Sequence, residues 1–164
     1  MSNLKLINAS ESLNSDDFNE VELRFGVMFP ESLRRHYLKV NGGITDGHKM
    51  YYVPRGASPA DSDEITFCGF YPIKYKARSK QSTLEDNYAE FGGHQGLFDP
   101  KKYIPFGFDV SGFPLIMDFD GQKIHLLNRD VTDGGGNEAI EFVADSLDDF
   151  IDGLIDEGEY EDSL

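Results

Sequence analysis

Apolar positions recur along this chain with two periods, and the change of period divides it. Near the N-terminus Phe18, Val21 and Phe25 fall at helical spacing, with Leu23 beside them. Ser15 reads as the N-cap of this helix, and Asp16 and Asp17 fill a first turn where the helix dipole favours carboxylates. Gly26 is its stop. A second helix starts at Pro30, carries Leu33, Tyr37, Leu38 and Val40, and ends at Asn41-Gly42-Gly43. The pattern then shortens. Met50-Tyr51-Tyr52-Val53 reads as a strand, residues 54–64 as a polar loop, and Ile65 to Ile73 as a second strand containing Cys68. Lys74 to Gln81 is basic and expected to be exposed. Ser82 caps a short helix through Phe91, stopped by Gly92-Gly93.

The C-terminal part carries the clearest two-residue alternation. Tyr103 to Phe108 leads into a turn at Asp109-Val110-Ser111-Gly112, and Leu115 to Phe119 is a strand. Asp120-Gly121 signals a two-residue hairpin, with Gln122 to Leu127 returning. Residues 133–137 form a glycine-rich loop, and Glu138 to Val143 alternates like a half-buried strand. Ser146 with Asp149 resembles a capping box for a last helix from Leu147 to about Ile155. That helix puts Leu147, Phe150, Ile151, Leu154 and Ile155 on one face, and Asp148, Asp149, Asp152 and Asp156 on the other. Helices at the ends and a mostly antiparallel sheet between them predict an α+β fold in a single domain. Residues 1–14 are expected to be an extension, 15–156 the domain, and 157–164 a frayed acidic tail.

Charge adds to this picture once it is divided along the chain. The formal net charge is −15 over 164 residues. Residues 1–129 hold 17 acids and 15 bases, net −2, whereas residues 130–164 hold 13 acids and no Lys or Arg, net −13. Such a chain is not drawn to phosphate backbones or to anionic membranes. No apolar run reaches the roughly 20 residues of a membrane span, and the N-terminus lacks the features of a signal peptide. One cysteine forms no internal disulfide and no zinc framework. A cytoplasmic protein is expected.

Candidate chemistry is sparse. His36, His48, His94 and His125 form no i,i+4 pair and no HExxH pattern. Asp61-Ser62-Asp63-Glu64 and Asp130-Val131-Thr132-Asp133 lack the order of a calcium loop. Gly134-Gly135-Gly136 lacks the Lys-Ser/Thr of a phosphate loop, and Ser111 is not in a GxSxG elbow. No catalytic residue, metal or cofactor is expected. A small hydrolase would need a cleft where one of the histidines meets a carboxylate.

Three segments carry a resemblance. Val21 to Gly43 holds a helix with Glu22, then Gly26, an apolar residue and Pro30, a second helix, and Asn41-Gly42-Gly43. Ile104-Pro105-Phe106-Gly107 is followed by Asp109, Gly112 and a strand ending Met117-Asp118-Phe119. Phe142-Val143-Ala144-Asp145-Ser146-Leu147-Asp148-Asp149-Phe150-Ile151 closes the series. In that order they resemble the SUKH superfamily, whose fungal namesakes regulate cell-wall assembly. Phe113-Pro114 departs from the small or polar residues usual after the turn glycine, and Leu147 replaces a frequent Phe. The resemblance implies an α+β fold and a non-enzymatic role. Many bacterial single-domain members look like immunity proteins that neutralise polymorphic toxins, often basic nucleases, by binding them.

Two function classes follow. In one, the chain is an immunity protein that binds a cognate toxin through Asp130, Asp133, Asp148, Asp149, Asp152 and Asp156. Tyr51 and Tyr52 are either exposed anchors for that partner or sheet core. In the other, it is a cytoplasmic adaptor or regulator whose binding depends less on charge.

Overall fold

The apolar run from Ile65 to Phe70 is divided between two sheets, and that division organises the molecule. The computed structural model describes residues 4–76, 81–132, 134–135 and 138–164. Its strands are β1 (Leu6–Ile7), β2 (Gly43–Thr45), β3 (Met50–Tyr52), β4 (Ile65–Phe67) and β5 (Gly69–Phe70) in the first half. The second half adds β6 (Tyr103–Phe108), β7 (Pro114–Asp118), β8 (Ile124–Thr132), β9 (Glu138–Ala144) and β10 (Leu154–Asp156). Helices are α1 (Ser15–Phe25), α2 (Glu31–Lys39), α3 (Leu84–Asn87), α4 (Leu147–Asp152) and α5 (Glu157–Asp162). One sheet runs β1-β2-β5-β6-β7-β8-β9 and the other β10-β3-β4, and every pairing described is antiparallel. This is the α+β architecture the pattern predicts.

The expected single strand from Ile65 to Ile73 is therefore corrected. β4 pairs with β3, and the chain changes partners at Cys68. The Cys68 N–H donates to Phe108 O at 2.9 Å, and the Thr45 N–H donates to Cys68 O at 3.0 Å. Glycines permit the transfer. A Cβ on Gly69 would lie 2.8 Å from Gly43 O, and one on Gly107 would lie 2.7 Å from Gly69 O. Three backbones thus approach more closely than side chains allow.

Several element ends also shift. Asn14, not Ser15, caps α1: its side chain accepts from the Asp17 N–H at 3.1 Å, and the Asp17 carboxylate accepts from the Asn14 N–H at 2.9 Å. Pro30 is the N-cap of α2 rather than its first residue, and α2 stops at Lys39. Thr83, not Ser82, caps α3, and a π-helical turn over Tyr88–His94 continues it. The polar loop holds a 3-10 turn at Pro59–Asp61. The β7–β8 hairpin pairs Met117 with Ile124, so its loop is wider than the expected two residues, and Gln122 takes a φ of +55°.

The C-terminus differs most. The last helix breaks at Gly153, and Leu154–Asp156 becomes β10 against β3. The expected frayed tail is instead α5, with Tyr160 stacked on Tyr51 at 3.8 Å and Glu157 paired to Lys49 at 2.7 Å. The partners are distant in sequence, so no local pattern signals the contact.

The core lies where α1, α2 and α4 meet the sheets. Phe67 packs on Phe70 at 5.0 Å and on Phe150 at 5.6 Å, and Phe70 packs on Phe106 at 5.9 Å. All four rings are fully buried, which accounts for much of the generous aromatic content.

Candidate partner-binding surface

The direction of the C-terminal acids is set by the cap of α4. Ser146 Oγ accepts the Asp149 N–H at 3.0 Å, and Leu147 and Phe150 enter the core. Asp148, Asp149 and Asp152 are then left exposed. Positions three apart share a helix side, so Asp149 and Asp152 face together. They line a cleft of about 570 Å³ with Asp145, Arg55, Tyr52 and Phe142. Phe142 is 56% exposed. Asp145 reaches Lys123 at 3.9 Å, whereas among the described residues no base pairs with Asp149 or Asp152.

The other expected acids lie elsewhere. Asp148 pairs with Arg35 at 3.5 Å, beside a separate groove lined by His36, Lys39, Leu147 and Ile151. Asp156 stands at the N-cap position of α5 without a capping bond from its side chain and lies near Lys5, Asp46 and His48. Asp130 is exposed on β8, where its N–H donates to Asn128 Oδ1 at 3.0 Å. Asp133 lies outside the described residues, as do parts of the expected basic segment and glycine-rich loop and the first three residues. The acids thus form no single face. Tyr51 and Tyr52 are 5% and 6% exposed, so they are sheet core and not projecting anchors. Asp145, Arg55 and Phe142 are not among the expected binding residues. The one signal for Phe142 was its place in an alternating strand.

One histidine does meet a carboxylate. His125 Nε2 lies 3.0 Å from Asp118 Oδ2, with the His125 ring against Tyr103 and Phe142. Asp118 also accepts the Gly121 and Lys123 N–H groups, so it braces the β7–β8 hairpin. Burial opposes its ionisation, but the bonds from His125 and those N–H groups outweigh it and hold the carboxyl below its ordinary value. His36 stacks on Phe70 at 4.2 Å, and its Nε2 is buried without a partner among the described residues. Burial, with help from Lys39, lowers its pKa to about 4.

The residues that carried the resemblance serve folding. Glu22 accepts the Phe29 N–H at 2.7 Å and pairs with Arg34 at 2.9 Å, tying α1 to α2. Asn41 is a buried clasp: its Nδ2 donates to Glu11 O and Ile73 O, and its Oδ1 accepts the Ile73 N–H. Asp109 accepts the Ser111 and Phe113 N–H groups at 2.9 and 2.8 Å, closing the turn before β7. Among the described residues no cluster of His, Cys, Asp or Glu is placed to hold a metal ion. No helix there is long and apolar enough to cross a membrane.

Comparison with curated proteins gives no match. A family model does match, over residues 12–153, which include α1 to α4 and all three segments of the resemblance. With most of its length matched, the chain belongs to the SMI1 / KNR4 family (SUKH-1).

Proposed function

We propose that this protein is a non-enzymatic immunity protein that binds a cognate toxin through the acidic cleft beside α4. The family is compatible with an immunity or a regulatory module and points to protein–protein interaction. The observation that carries the reading is Asp149 and Asp152, exposed and without a paired base among the described residues, in a cleft edged by exposed Phe142. An exposed aromatic at the edge of a cleft that holds three carboxylates, Asp145, Asp149 and Asp152, and one base, Arg55, suits a partner with a basic, partly apolar patch. A nuclease's phosphate-binding site has that character, and carboxylates would stand where phosphates bind. Complementary charge also speeds association by about 10–10³-fold at low salt.

The test is co-expression with the product of an adjacent toxin gene. Protection of the cells and a salt-sensitive complex are expected, with both weakened in Asp149→Lys/Asp152→Lys. No protection and no complex would overturn the reading.

A regulatory adaptor is the second reading. Leu23 and Met28 beside the α1–α2 turn are 85% and 79% exposed, and a partner held there would bind through apolar contact. Association indifferent to salt and lost in Leu23→Ser/Met28→Ser would favour it.

A further inference from the structure

The two sheets have four edges, and they are unequal. β1 has two residues, and β4 and β10 have three each, whereas β9 has seven. β9 pairs with β8 on one side only. The outer side of an edge strand presents a row of backbone donors and acceptors, a template for another strand. Natural edges are commonly blunted by proline, by charged side chains (lysine above all), by bulges or by shortness, and of these β9 carries only the carboxylates Glu138 and Glu141 and register shifts against β8. β9 contains neither proline nor lysine, and none of its residues from Glu138 to Phe142 is buried. Its C-terminal half, Phe142 to Ala144, forms one wall of the acidic cleft.

Building on the protein-binding reading above, we propose that β9 is the docking edge and that the partner supplies a basic segment in extended conformation. That segment adds to the seven-stranded sheet as a further strand. Charge selects it. Around β9 the carboxylates of Glu138, Glu141, Asp145, Asp149 and Asp152 outnumber their neighbouring bases Arg55, Lys123 and Arg129. Backbone pairing supplies affinity that is indifferent to sequence, and side chains on one face supply selectivity. Alternate residues of the incoming strand face the same way. One apolar side chain can therefore cover Phe142 while a basic residue two positions on reaches Asp149 and Asp152. The same charges disfavour a second copy. Antiparallel self-pairing centred on Ala139 and Ile140 sets Glu138 opposite Glu141 twice, and like charges placed opposite are destabilising.

The experiment uses the full chain and two nine-residue peptides. In one, arginine and valine take turns at the odd positions with threonine at every even position, so that both lie on one face. The other replaces each threonine with proline, which keeps the charge and the valines and abolishes strand pairing. Titration at low salt is followed by amide hydrogen exchange of residues 139–145. The expected result is binding of the first peptide at least tenfold tighter than the second. Alternate amides of β9 should gain protection, and both effects should weaken in Asp149→Lys/Asp152→Lys. Equal binding of both peptides without β9 protection overturns strand addition and leaves the acidic-surface reading standing. Binding of neither also overturns it, and the co-expression test then decides the broader reading by itself. A dimer of the free chain with those same amides already protected overturns it in favour of self-association.

Discussion

Replacing Asn41 with alanine removes a buried clasp, and its cost can be worked from the bonds lost. Asn41 is 2% exposed. Its side chain makes three hydrogen bonds, at 2.9 Å to Glu11 O, 2.9 Å to Ile73 O and 2.7 Å from the Ile73 N–H. These losses differ in kind. Glu11 is exposed and its carbonyl can turn to water. Ile73 O keeps the Tyr75 N–H at 2.6 Å. The Ile73 N–H, on a fully buried residue, is left with nothing. An orphaned buried donor costs about 1–3 kcal/mol and each of the two ordinary bonds about 0.5–1.5 kcal/mol, so Asn41→Ala should cost about 2–6 kcal/mol. Against a typical total of about 5–15 kcal/mol this is severe. The assay is urea unfolding followed by tyrosine fluorescence. With an m-value of about 1–3 kcal/mol/M the midpoint should fall by about 1 M or more, with m unchanged. Asn41→Asp sharpens the test. It still accepts the Ile73 N–H, but its second oxygen would oppose two carbonyl oxygens where the amide donated, so it should be worse than alanine. A loss below about 1 kcal/mol in Asn41→Ala, or an Asn41→Asp variant as stable as the parent, would refute the reasoning.

Gly153→Ala should cost about 1–3 kcal/mol in the same assay, because the new methyl would stand 2.6 Å from Tyr52 Cε1 and 2.8 Å from Val53 O. Tyr160→Ala should lower stability by roughly 2 kcal/mol and speed hydrogen exchange in β3, since the ring covers Tyr51 at an interplanar angle of 1°. His36 has a folded-state pKa near 4 against an ordinary 6.5, so its neutral form stabilises the fold above pH 6.5, and that contribution is lost as pH falls toward 4. In NMR titration its ring should show no transition between pH 5 and 7, and His36→Phe should lose less stability than the parent between those values.

Helices α1 and α2, the β6–β7–β8 strands and the cap of α4 were legible because the signals for each lie within a few residues of one another. What stayed hidden depends on partners distant in sequence. Alternation marks residues 65–70 as extended but says nothing about which sheet receives them, and the exchange at Cys68 rests on Gly43 and Gly107, far along the chain. α5 looked like a frayed tail because the ring that fixes it, Tyr51, lies in the first third of the sequence. The run of acids from Asp130 onward is plain in the sequence, but the directions they face are not. Neighbours on a helix are rotated by about 100°, and that rotation alone separates Asp148, on Arg35, from Asp149 in the cleft. The resemblance was carried largely by Glu22, Asn41, Asp109 and Ser146, which hold backbone amides and helix ends. Such residues identify a fold readily and a partner poorly.

The closure of the smaller sheet also sets a timetable for synthesis. β3 can pair with β4 as soon as both have left the ribosome, but its other neighbour, β10, joins Leu154 to Tyr52 across about a hundred residues. At about 5–20 residues per second, translation of that interval takes roughly 5–20 s. For those seconds Tyr51 and Tyr52 sit on an unfinished ribbon, wet on the side that Gly153 and Tyr160 later cover. A nascent chain paused in that interval would be the form most exposed to chaperones and proteases, with only its N-terminal helix pair, α1 and α2, already in place.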